Sequence, residues 1–394
     1  MSRITFLHTA DWQLGKPFAQ VSDPDKRAAI RKARLEVIDR MAEIVAQRKA
    51  AFVLVAGDLF DSISVDKATV SAACAAIGRI PVPVFAIPGN HDHGGPGSVW
   101  QQPFFQKERA QRAPNLHLLL EPRPEILEQA VILPCPLLHR AVVGDPTAWL
   151  QESRVFEELP ADRPRIVLAH GSTQRFVGAW ADDAEDVSTN LIDAERLESL
   201  PVDYVALGDW HGTLHVGAKT WYAGTPEPDR FPRGEDQDPG NVLLVGAARG
   251  DEMPRVERIH TARLAWRRMA FQFTDDASLD RFQHELDQEI GSQARETLLR
   301  LELAGALGIE AHTALEQVLE AWEARLAWLR CVQDVQVAPT EAEIAALAQR
   351  PGDPLIAAVA TALLERVARE DDPQTAQLAL RLLYAACRQE EEGR

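Results

Sequence analysis

The amino-acid sequence predicts a layered α/β fold, and three features support that prediction. The first part of the chain alternates short apolar runs, typical of strands, with amphipathic stretches, typical of helices. A second, smaller α/β pattern begins near residue 271, and the pattern becomes all-helical after residue 339. We therefore expect a large α/β domain over residues 1–270, a small α/β domain over 271–339 and a helical segment over 340–394.

Six apolar runs of the first part have the length and composition of buried strands. They cover residues 4–10, 51–56, 82–87, 130–133, 165–169 and 203–207. Helices are expected over 25–48 and 66–78, and strands over 241–245 and 262–269 are expected to complete the sheet.

The second part repeats the strand and helix alternation on a smaller scale. The expected elements are helix 278–290, strand 297–303, helix 313–321 and a strand near 332–337. In the third part, Thr340 with Glu343 matches a capping box, and the Asp-Pro pairs that begin at residues 353 and 372 are typical of helix starts. The helix between them carries an apolar face of Leu355, Val359, Leu363 and Val367.

The composition is that of a globular protein, with 46% hydrophobic and 26% charged residues among 394. The start of the chain leads directly into an apolar run and no long apolar segment follows, so we expect neither a signal peptide nor a membrane span. The four cysteines are far apart and lack CxxC spacing. That spacing predicts reduced thiols in a cytoplasmic protein.

The formal net charge of −17 limits how the chain could handle nucleic acid. Proteins that hold nucleic acid alone use a basic face, because neutralising phosphates supplies much of the affinity. A DNA substrate would therefore require a local basic patch, metal ions or a basic partner. The local candidates are Lys26, Arg27, Arg31, Lys32 and Arg34. A solvated helix face is the favoured interpretation of those five residues.

Five of the apolar runs are followed at once by residues whose side chains can bind metals. The runs end in Asp11-Trp12-Gln13, Gly57-Asp58, Gly89-Asn90-His91-Asp92, His170-Gly171 and Gly208-Asp209-Trp210-His211. In α/β folds the loops at the carboxyl ends of strands converge, so we expect these side chains to meet. Each motif alone is typical of a turn or a helix cap, whereas the ordered set predicts a site.

The predicted ligands are carboxylates, imidazoles and amides: Asp11, Gln13, Asp58, Asn90, His170, Asp209 and His211. That mixture suits two divalent cations bridged by a carboxylate. Two such ions hold a phosphate, activate water and stabilise the leaving oxygen. The sequence therefore indicates hydrolysis of a phosphoester.

The ordered motifs resemble the calcineurin-like metallophosphoesterases, whose pattern is D-x-H, G-D, G-N-H-D/E, a later histidine and G-H-x-H. Residues 7–15, LHTADWQLG, resemble the LHTSDWHLG opening of the SbcD-type DNA repair exonucleases. Residues 57–61, GDLFD, and 221–227, WYAGTPE, also fit that branch. The resemblance covers residues 3–231, and more loosely the small α/β domain. It implies a layered metallophosphoesterase sandwich, with mixed β-sheets flanked by helices, a small capping domain and a helical C-terminus.

The resemblance also implies roles for individual residues. Asp58 would bridge two ions and His91 would be the general acid, or the cation that stabilises the transition state. The remaining ligands would be Asp11, Gln13 and His211 for the first ion, and Asn90, His170 and Asp209 for the second.

Gln13 and Asp209 depart from the family pattern, because each stands where the family has a histidine. Both can bind a hard cation, and the oxygen-rich set favours Mn²⁺, or Mg²⁺, over zinc. The alternative is a degenerate site in a non-catalytic subunit. Retention of the other six site residues argues against that alternative.

The function expected from the resemblance is a metal-dependent DNA exonuclease that works in DNA repair with an SMC-type coiled-coil ATPase, as SbcD-like proteins do with SbcC. The ATPase would compensate for the acidic charge of the chain, and the C-terminal helices resemble the ATPase-binding segment. A bundle packed on its own domain is an equal alternative for those helices. The alternative function is a phosphodiesterase or phosphatase for nucleotides or other small phosphate esters. Formation of a homodimer is left as an open possibility.

Overall fold

The structure is a computed structural model, and it describes residues 3–152, 154–173, 189–232, 238–337, 354–368, 375–376, 378–380, 382–383 and 387. The chain divides into two compact units, Met1–Leu264 and Ala265–Arg394. The strand expected over 262–269 is Ala265–Phe273 and begins the second unit, so the expectation that it completes the first sheet is wrong. Its alternating pattern of apolar and polar residues fits a strand of either sheet. Only its pairing with the later strand Thr297–Leu307 shows that it belongs to the sheet of the second unit.

The strands of the first unit are β1 Ile4–Thr9, β2 Val53–Ala56, β3 Val84–Ile87, β4 Leu116–Leu118, β5 Glu125–Ile126, β6 Val131–Cys135, β7 Arg165–His170, β8 Ser172–Thr173, β9 Leu191–Ile192, β10 Tyr204–Gly208, β11 Leu214–His215, β12 Thr220–Tyr222, β13 Asn241–Ala247 and β14 Arg255–His260. The strands of the second unit are β15 Ala265–Phe273, β16 Thr297–Leu307 and β17 Trp328–Val337.

The α-helices are α1 Pro24–Arg48, α2 Lys67–Ile77, α3 Pro103–Arg112, α4 Arg154–Glu157, α5 Ala194–Ser199, α6 Ser278–Glu289, α7 Ile309–Arg325 and α8 Pro354–Ala368. Helix α1 begins where the sequence predicts it, because the side chain of Asp23 accepts hydrogen bonds from the backbone N–H groups of Asp25 and Lys26. None of the helices in the described residues is long and apolar enough to cross a membrane.

The first unit contains two six-stranded mixed sheets, in the orders β14-β13-β1-β2-β3-β4 and β11-β12-β10-β7-β6-β5. Strand residues alternate between two cores because successive side chains point to opposite faces. Leu7 packs against α1 and α2, whereas its neighbour Phe6 packs in the core that also holds Tyr204 and Ile166 of the second sheet. The layered α/β sandwich expected from the sequence is thereby confirmed.

The second unit is built on the three parallel strands β15-β16-β17. Helices α6 and α7 connect them and bury Phe282, Leu286 and Leu315 with the apolar side chains of the sheet. Parallel strands require such crossover helices. Helix α8 begins at Pro354, and the capping box at Thr340 and the Asp-Pro pair at residue 372 lie outside the described residues.

Candidate metal centre

The carboxyl ends of strands from both sheets converge on one site in the first unit. Asp11 and Gln13 follow β1, Asp58 follows β2, Asn90 and His91 follow β3, His170 ends β7, and Asp209 and His211 follow β10. The Nδ1 atom of His170 lies 2.8 Å from the carbonyl oxygen of Ala56, which links the end of β7 to the end of β2. The convergence predicted from the sequence is therefore present in the fold.

Four of the predicted ligands adopt a backbone conformation that non-glycine residues seldom take. Their φ angles are positive: 54° at Asp11, 41° at Gln13, 54° at Asp58 and 106° at Asp209. Such conformations are unfavourable and persist only where surrounding contacts impose them. Here the N–H of Asp11 donates to Gly57 O at 3.1 Å, and that of Gln13 to Asp58 O at 2.9 Å. The local strain coincides with the site.

Two glycines make the close approach of the ligands possible. A Cβ atom on Gly89 would lie 2.1 Å from Oδ1 of Asp58, and one on Gly57 would lie 2.2 Å from Nδ1 of His170. Gly57 also has a φ of +89°, which favours glycine. Glycine at these two positions therefore lets the backbone come close to Asp58 and His170.

Asp11, Asp58 and His170 form the centre of the site. Their ligand atoms lie within 4.8 Å of one another, and none of the three side chains is more than 2% exposed. Because the Ala56 carbonyl can only accept, Nδ1 of His170 carries the proton and Nε2 faces the carboxylates. That nitrogen lies 3.6 Å from Oδ1 of Asp58 and 3.0 Å from Oδ1 of Asn90.

The centre carries more negative than positive charge. Burial raises the pKa of Asp11 well above its usual value, and Asp58 and Asp209 add to that rise. Burial acts to lower the pKa of His170, but the carboxylates of Asp58, Asp11 and Asp209 outweigh it and raise the pKa to about 9. A buried group with three carboxylates and one histidine is stabilised by a bound cation.

The donors around His170 fit a divalent ion. They are the carboxylate oxygens of Asp11, Asp58 and Asp209, the amide oxygen of Asn90 and Nε2 of His170. Ser172 donates from Oγ to Oδ2 of Asp209 at 2.6 Å, and Oδ1 of Asp209 lies 3.8 Å from Nε2 of His170. An oxygen-rich set with one imidazole suits a hard cation.

His91 lies at the open side of this group, with 36% of its side chain exposed. Its backbone N–H donates to Oδ1 of Asp58 at 3.0 Å. Its Nδ1 donates to the carbonyl oxygen of Asp61 at 2.9 Å, so Nε2 is the ring atom left to face a substrate. The ring is therefore oriented by Asp61 and accessible from solvent.

Asp92 ties two loops of the site together. It is fully buried and accepts hydrogen bonds from the N–H groups of Phe60, at 3.0 Å, and Gly89, at 2.8 Å. Burial raises its pKa to about 7, and Asp58 contributes to the rise. Asp92 thereby fixes the loop that carries Asp58 against the loop that carries Asn90.

Gln13 and His211 lie in a separate polar network beside this centre. Nε2 of Gln13 is 3.3 Å from Nε2 of His211, and Nδ1 of His211 is 3.0 Å from Oδ1 of the buried Asp229. Lys16 donates to Oε1 of Gln13 at 2.7 Å. Neither Lys16 nor Asp229 is among the site residues predicted from the sequence. Asp229 lies only two residues beyond the WYAGTPE segment that resembles the family.

Charges in this network are set by burial and by neighbours. Burial acts to raise the pKa of Asp229, but His211, Arg230 and Lys16 together hold it well below its usual value. Burial also lowers the pKa of His211. The network therefore joins the Asp229 carboxylate, the His211 imidazole and the Lys16 ammonium group.

Arg34 is buried behind the site, so interpreting it as part of a solvated helix face is wrong. It is 2% exposed and donates to the backbone carbonyls of Trp12, at 2.6 Å, and Asp11, at 3.2 Å. It also donates to the carbonyl of Glu227 at 2.6 Å. By these bonds it holds the strained turn that carries Asp11. Lys26 and Arg27 are half-buried, whereas Arg31 and Lys32 are exposed.

We expect Arg34→Ala to lower the free energy of unfolding by about 3 kcal/mol, because it leaves buried carbonyls without a donor. Urea denaturation followed by tryptophan fluorescence measures this. Arg40→Ala is the matched control on the same helix, since Arg40 is 49% exposed and pairs with Glu43, and it should change stability by less than about 0.5 kcal/mol. Equal effects of the two substitutions would contradict the assigned role of Arg34.

Two further residues beside the site have structural roles. His8 is fully buried and lies 2.9 Å from the hydroxyl of Tyr204 through Nδ1 and 3.2 Å from Leu207 O through Nε2. Burial lowers its pKa to about 3. Trp12 is 1% exposed and donates to Oγ1 of Thr9 at 2.9 Å. Both belong to the core beside the site.

Comparison with known proteins places these features in a family. The sequence pattern described as calcineurin-like phosphoesterase matches residues 4–213. The chain is 27% identical over 277 residues to the SbcD subunit of the nuclease SbcCD from Bacillus subtilis, a match that covers 62% of this chain and 67% of the relative. It is 23% identical over 251 residues to the protein of the same name from Escherichia coli, covering 57% of this chain and 61% of the relative.

Among solved structures, the crystal structure of TT1561 of Thermus thermophilus is similar over 66% of this chain and 100% of its own, at 13% identity and a TM-score of 0.40. The family match spans more than half of the chain and includes every strand end that carries a predicted ligand. Buried carboxylates and an imidazole lie at those strand ends, as the family resemblance implies. The chain belongs to the calcineurin-like phosphoesterase family and is a metal-dependent phosphoesterase.

Proposed function

We propose that this chain is a metal-dependent DNA nuclease, an exonuclease that acts in DNA repair. The observation that carries the proposal is the buried group of Asp11, Asp58 and His170 beside the accessible ring of His91. The relatives in Bacillus subtilis and Escherichia coli are named nucleases, which supports a nucleic-acid substrate. A phosphodiester is the bond that such a group is suited to hydrolyse.

The ion at this site would be held by Asp58, His170, Asn90, Asp209 and Asp11. We propose Mn²⁺, with Mg²⁺ as the second choice, because Asp209 supplies an oxygen where the family has a nitrogen. When bound, a divalent ion draws charge from the phosphate and makes water a better nucleophile. The protein must then orient the phosphate and supply a proton to the leaving oxygen.

We propose that His91 supplies that proton. Its Nδ1–H is held by the carbonyl of Asp61, so a second proton would be carried on Nε2. Nε2 lies 4.0 Å from Oδ2 of Asp58, at the edge of the centre rather than within it. His91 is 36% exposed, so a leaving oxygen at the open side of the centre could reach this nitrogen. We propose His91 as the general acid of the reaction.

The test is hydrolysis of end-labelled duplex and single-stranded DNA by the full chain with Mn²⁺, and with EDTA in its place. Release of mononucleotides or short products that depends on Mn²⁺ is expected. A nucleotide or nitrophenyl phosphate ester serves as the small-molecule comparison. Turnover of the small ester with none of DNA would replace the proposal with a small-molecule phosphodiesterase or phosphatase. No turnover of any substrate would indicate a non-catalytic subunit.

We also propose that the C-terminal helices bind an SMC-type coiled-coil ATPase of the SbcC class. The relatives are named as subunits of SbcCD, and the net charge of −17 favours a partner that supplies basic surface. On α8, Leu355 is 72% and Val359 is 40% exposed, whereas Ala360 is buried with Ile309 and Val337. Part of the predicted apolar face is thus open to solvent.

Leu355→Glu combined with Val359→Glu should abolish binding of the SbcC-type ATPase from the same genome, because both charges would lie in the contact. Co-purification and light scattering measure the association. Thr361→Glu, on another face of α8, is the control and should leave binding intact. Truncation after residue 339 is less informative, since it would also uncover Ile309 and Val337. Normal association of the double variant would contradict the proposed contact.

A further inference from the structure

Lys16 lies beside Gln13, one of the residues that the family resemblance gives to the first ion. Its ammonium nitrogen lies 2.7 Å from Oε1 of Gln13 and 2.7 Å from Oδ2 of Asp229, with Oδ1 of Asp61 at 3.8 Å. The side chain is 21% exposed, and Asp229 is 1% exposed. A positive charge is therefore already held at this position by the protein.

The contacts of Lys16 fix the orientation of the Gln13 amide. An ammonium group has only donors, so the Gln13 atom 2.7 Å away must be the oxygen. The amide nitrogen then faces Nε2 of His211 at 3.3 Å. Nδ1 of His211 donates to Asp229, which leaves Nε2 as an acceptor for that amide. The Gln13 oxygen that would bind the first ion is thus already bonded to Lys16. The His211 nitrogen that would bind it already faces the amide nitrogen of Gln13.

The other half of the site differs in charge and in bonding. Among the residues that the structure describes, Asp58 and Asp209 lie within 4.0 Å of histidine nitrogens, and no lysine or arginine side chain pairs with either. These carboxylates still require a cation, whereas Asp229 already pairs with Lys16 and with Arg230. An ion and an ammonium group at adjacent positions repel, so a second ion beside Lys16 is disfavoured.

We propose that Lys16 takes the place of the first metal ion, so that the chain binds one divalent cation, in the half formed by Asp11, Asp58, Asn90, His170 and Asp209. The inference rests on the proposed metal-dependent function. Two of the three N–H groups of Lys16 are used by Gln13 and Asp229, because Asp61 is beyond hydrogen-bond distance. The third can donate to a phosphate oxygen of the substrate. A lysine ammonium is a compact point charge suited to that role.

The experiment is titration of the metal-free full chain with Mn²⁺ by calorimetry, with the electron paramagnetic resonance spectrum recorded at saturation. We expect the wild type to bind one ion and to give the spectrum of isolated Mn²⁺. Lys16→Ala removes the ammonium group and releases Oε1 of Gln13, so it should bind two ions with spin coupling between them. Lys32→Ala, which removes a lysine that is 71% exposed, is the control and should bind one.

Two bound ions in the wild type would overturn the proposal, and so would a single ion in Lys16→Ala. Lys16→Met, which keeps the length of the side chain and removes only its charge, repeats the test if the alanine variant does not fold. The number of Mn²⁺ ions bound by the wild type tests the proposal whether or not either variant folds. One ion without DNA hydrolysis would refute the nuclease proposal alone, whereas two ions with hydrolysis would refute the role of Lys16 alone.

Discussion

Asp58→Asn is expected to lower Mn²⁺-dependent DNA hydrolysis by on the order of 10³-fold. Asparagine keeps the shape of the side chain but removes a charge from the centre of a buried group, where Asp58 lies 3.6 Å from His170. A neutral amide cannot balance a divalent cation that has been taken out of bulk water. Initial rates on end-labelled duplex DNA, measured beside a Mn²⁺ titration, would show turnover and metal affinity falling together.

His91→Ala provides the comparison for Asp58→Asn, because it alters the edge of the same site. Turnover should fall by roughly 100-fold while Mn²⁺ affinity stays near that of the wild type. Nε2 of His91 lies 4.0 Å from Oδ2 of Asp58, and its Nδ1 bonds to the carbonyl of Asp61 rather than to a predicted ligand. Wild-type activity of Asp58→Asn would show that Asp58 is not a ligand. Loss of metal from His91→Ala would give His91 a structural role.

Asp209→Ala is expected to weaken Mn²⁺ binding by about 100-fold and to reduce hydrolysis accordingly. Asp209 supplies the oxygen-rich character of the centre, and its backbone N–H also donates to both carboxylate oxygens of Asp11, at 3.1 and 3.2 Å. Asp209→His should retain activity and shift the preference towards zinc or cobalt, since imidazole suits borderline cations. Calorimetry with Mn²⁺, Zn²⁺ and Co²⁺ on the wild type and both variants measures these changes.

Ser172→Ala is the matched control for Asp209, because the Ser172 hydroxyl only orients the carboxylate, at 2.6 Å. It should weaken Mn²⁺ binding by roughly 10-fold, less than removal of the carboxylate itself. Unchanged affinity in Asp209→Ala would show that Asp209 lies outside the metal coordination. An unchanged metal preference in Asp209→His would remove the reason for choosing Mn²⁺.

Elements with strong local patterns could be predicted from the sequence. Helix α1 was expected over 25–48 and spans Pro24–Arg48, and the small α/β pattern after residue 271 corresponds to α6, β16, α7 and β17. Strand β14, Arg255–His260, was missed because it is a half-exposed edge strand rich in charge. An edge strand lacks the buried apolar run by which the central strands were found.

The placement of ligands was also predictable, because it follows from strand ends. Asp11, Asp58 and His170 each stand at or just after the end of a parallel strand, and such ends meet in a layered fold. The buried residues that support the ligands from behind could not be predicted from the sequence. Arg34 is separated from Glu227 by 193 residues, and its neighbours in the sequence include exposed lysine and arginine.

The sequence by itself determined the layered α/β architecture, the strand ends that carry the site and the phosphoesterase chemistry of the residues there. The tertiary structure alone decided that β15 belongs to the second unit, that Arg34 is buried and that Lys16 lies between Gln13 and Asp229. Periodicity and turn residues act over a few neighbours, so the chain reveals them directly. Burial and ion pairing depend on residues brought together from distant segments, as Lys16 and Asp229 are, and only the folded chain brings them into contact.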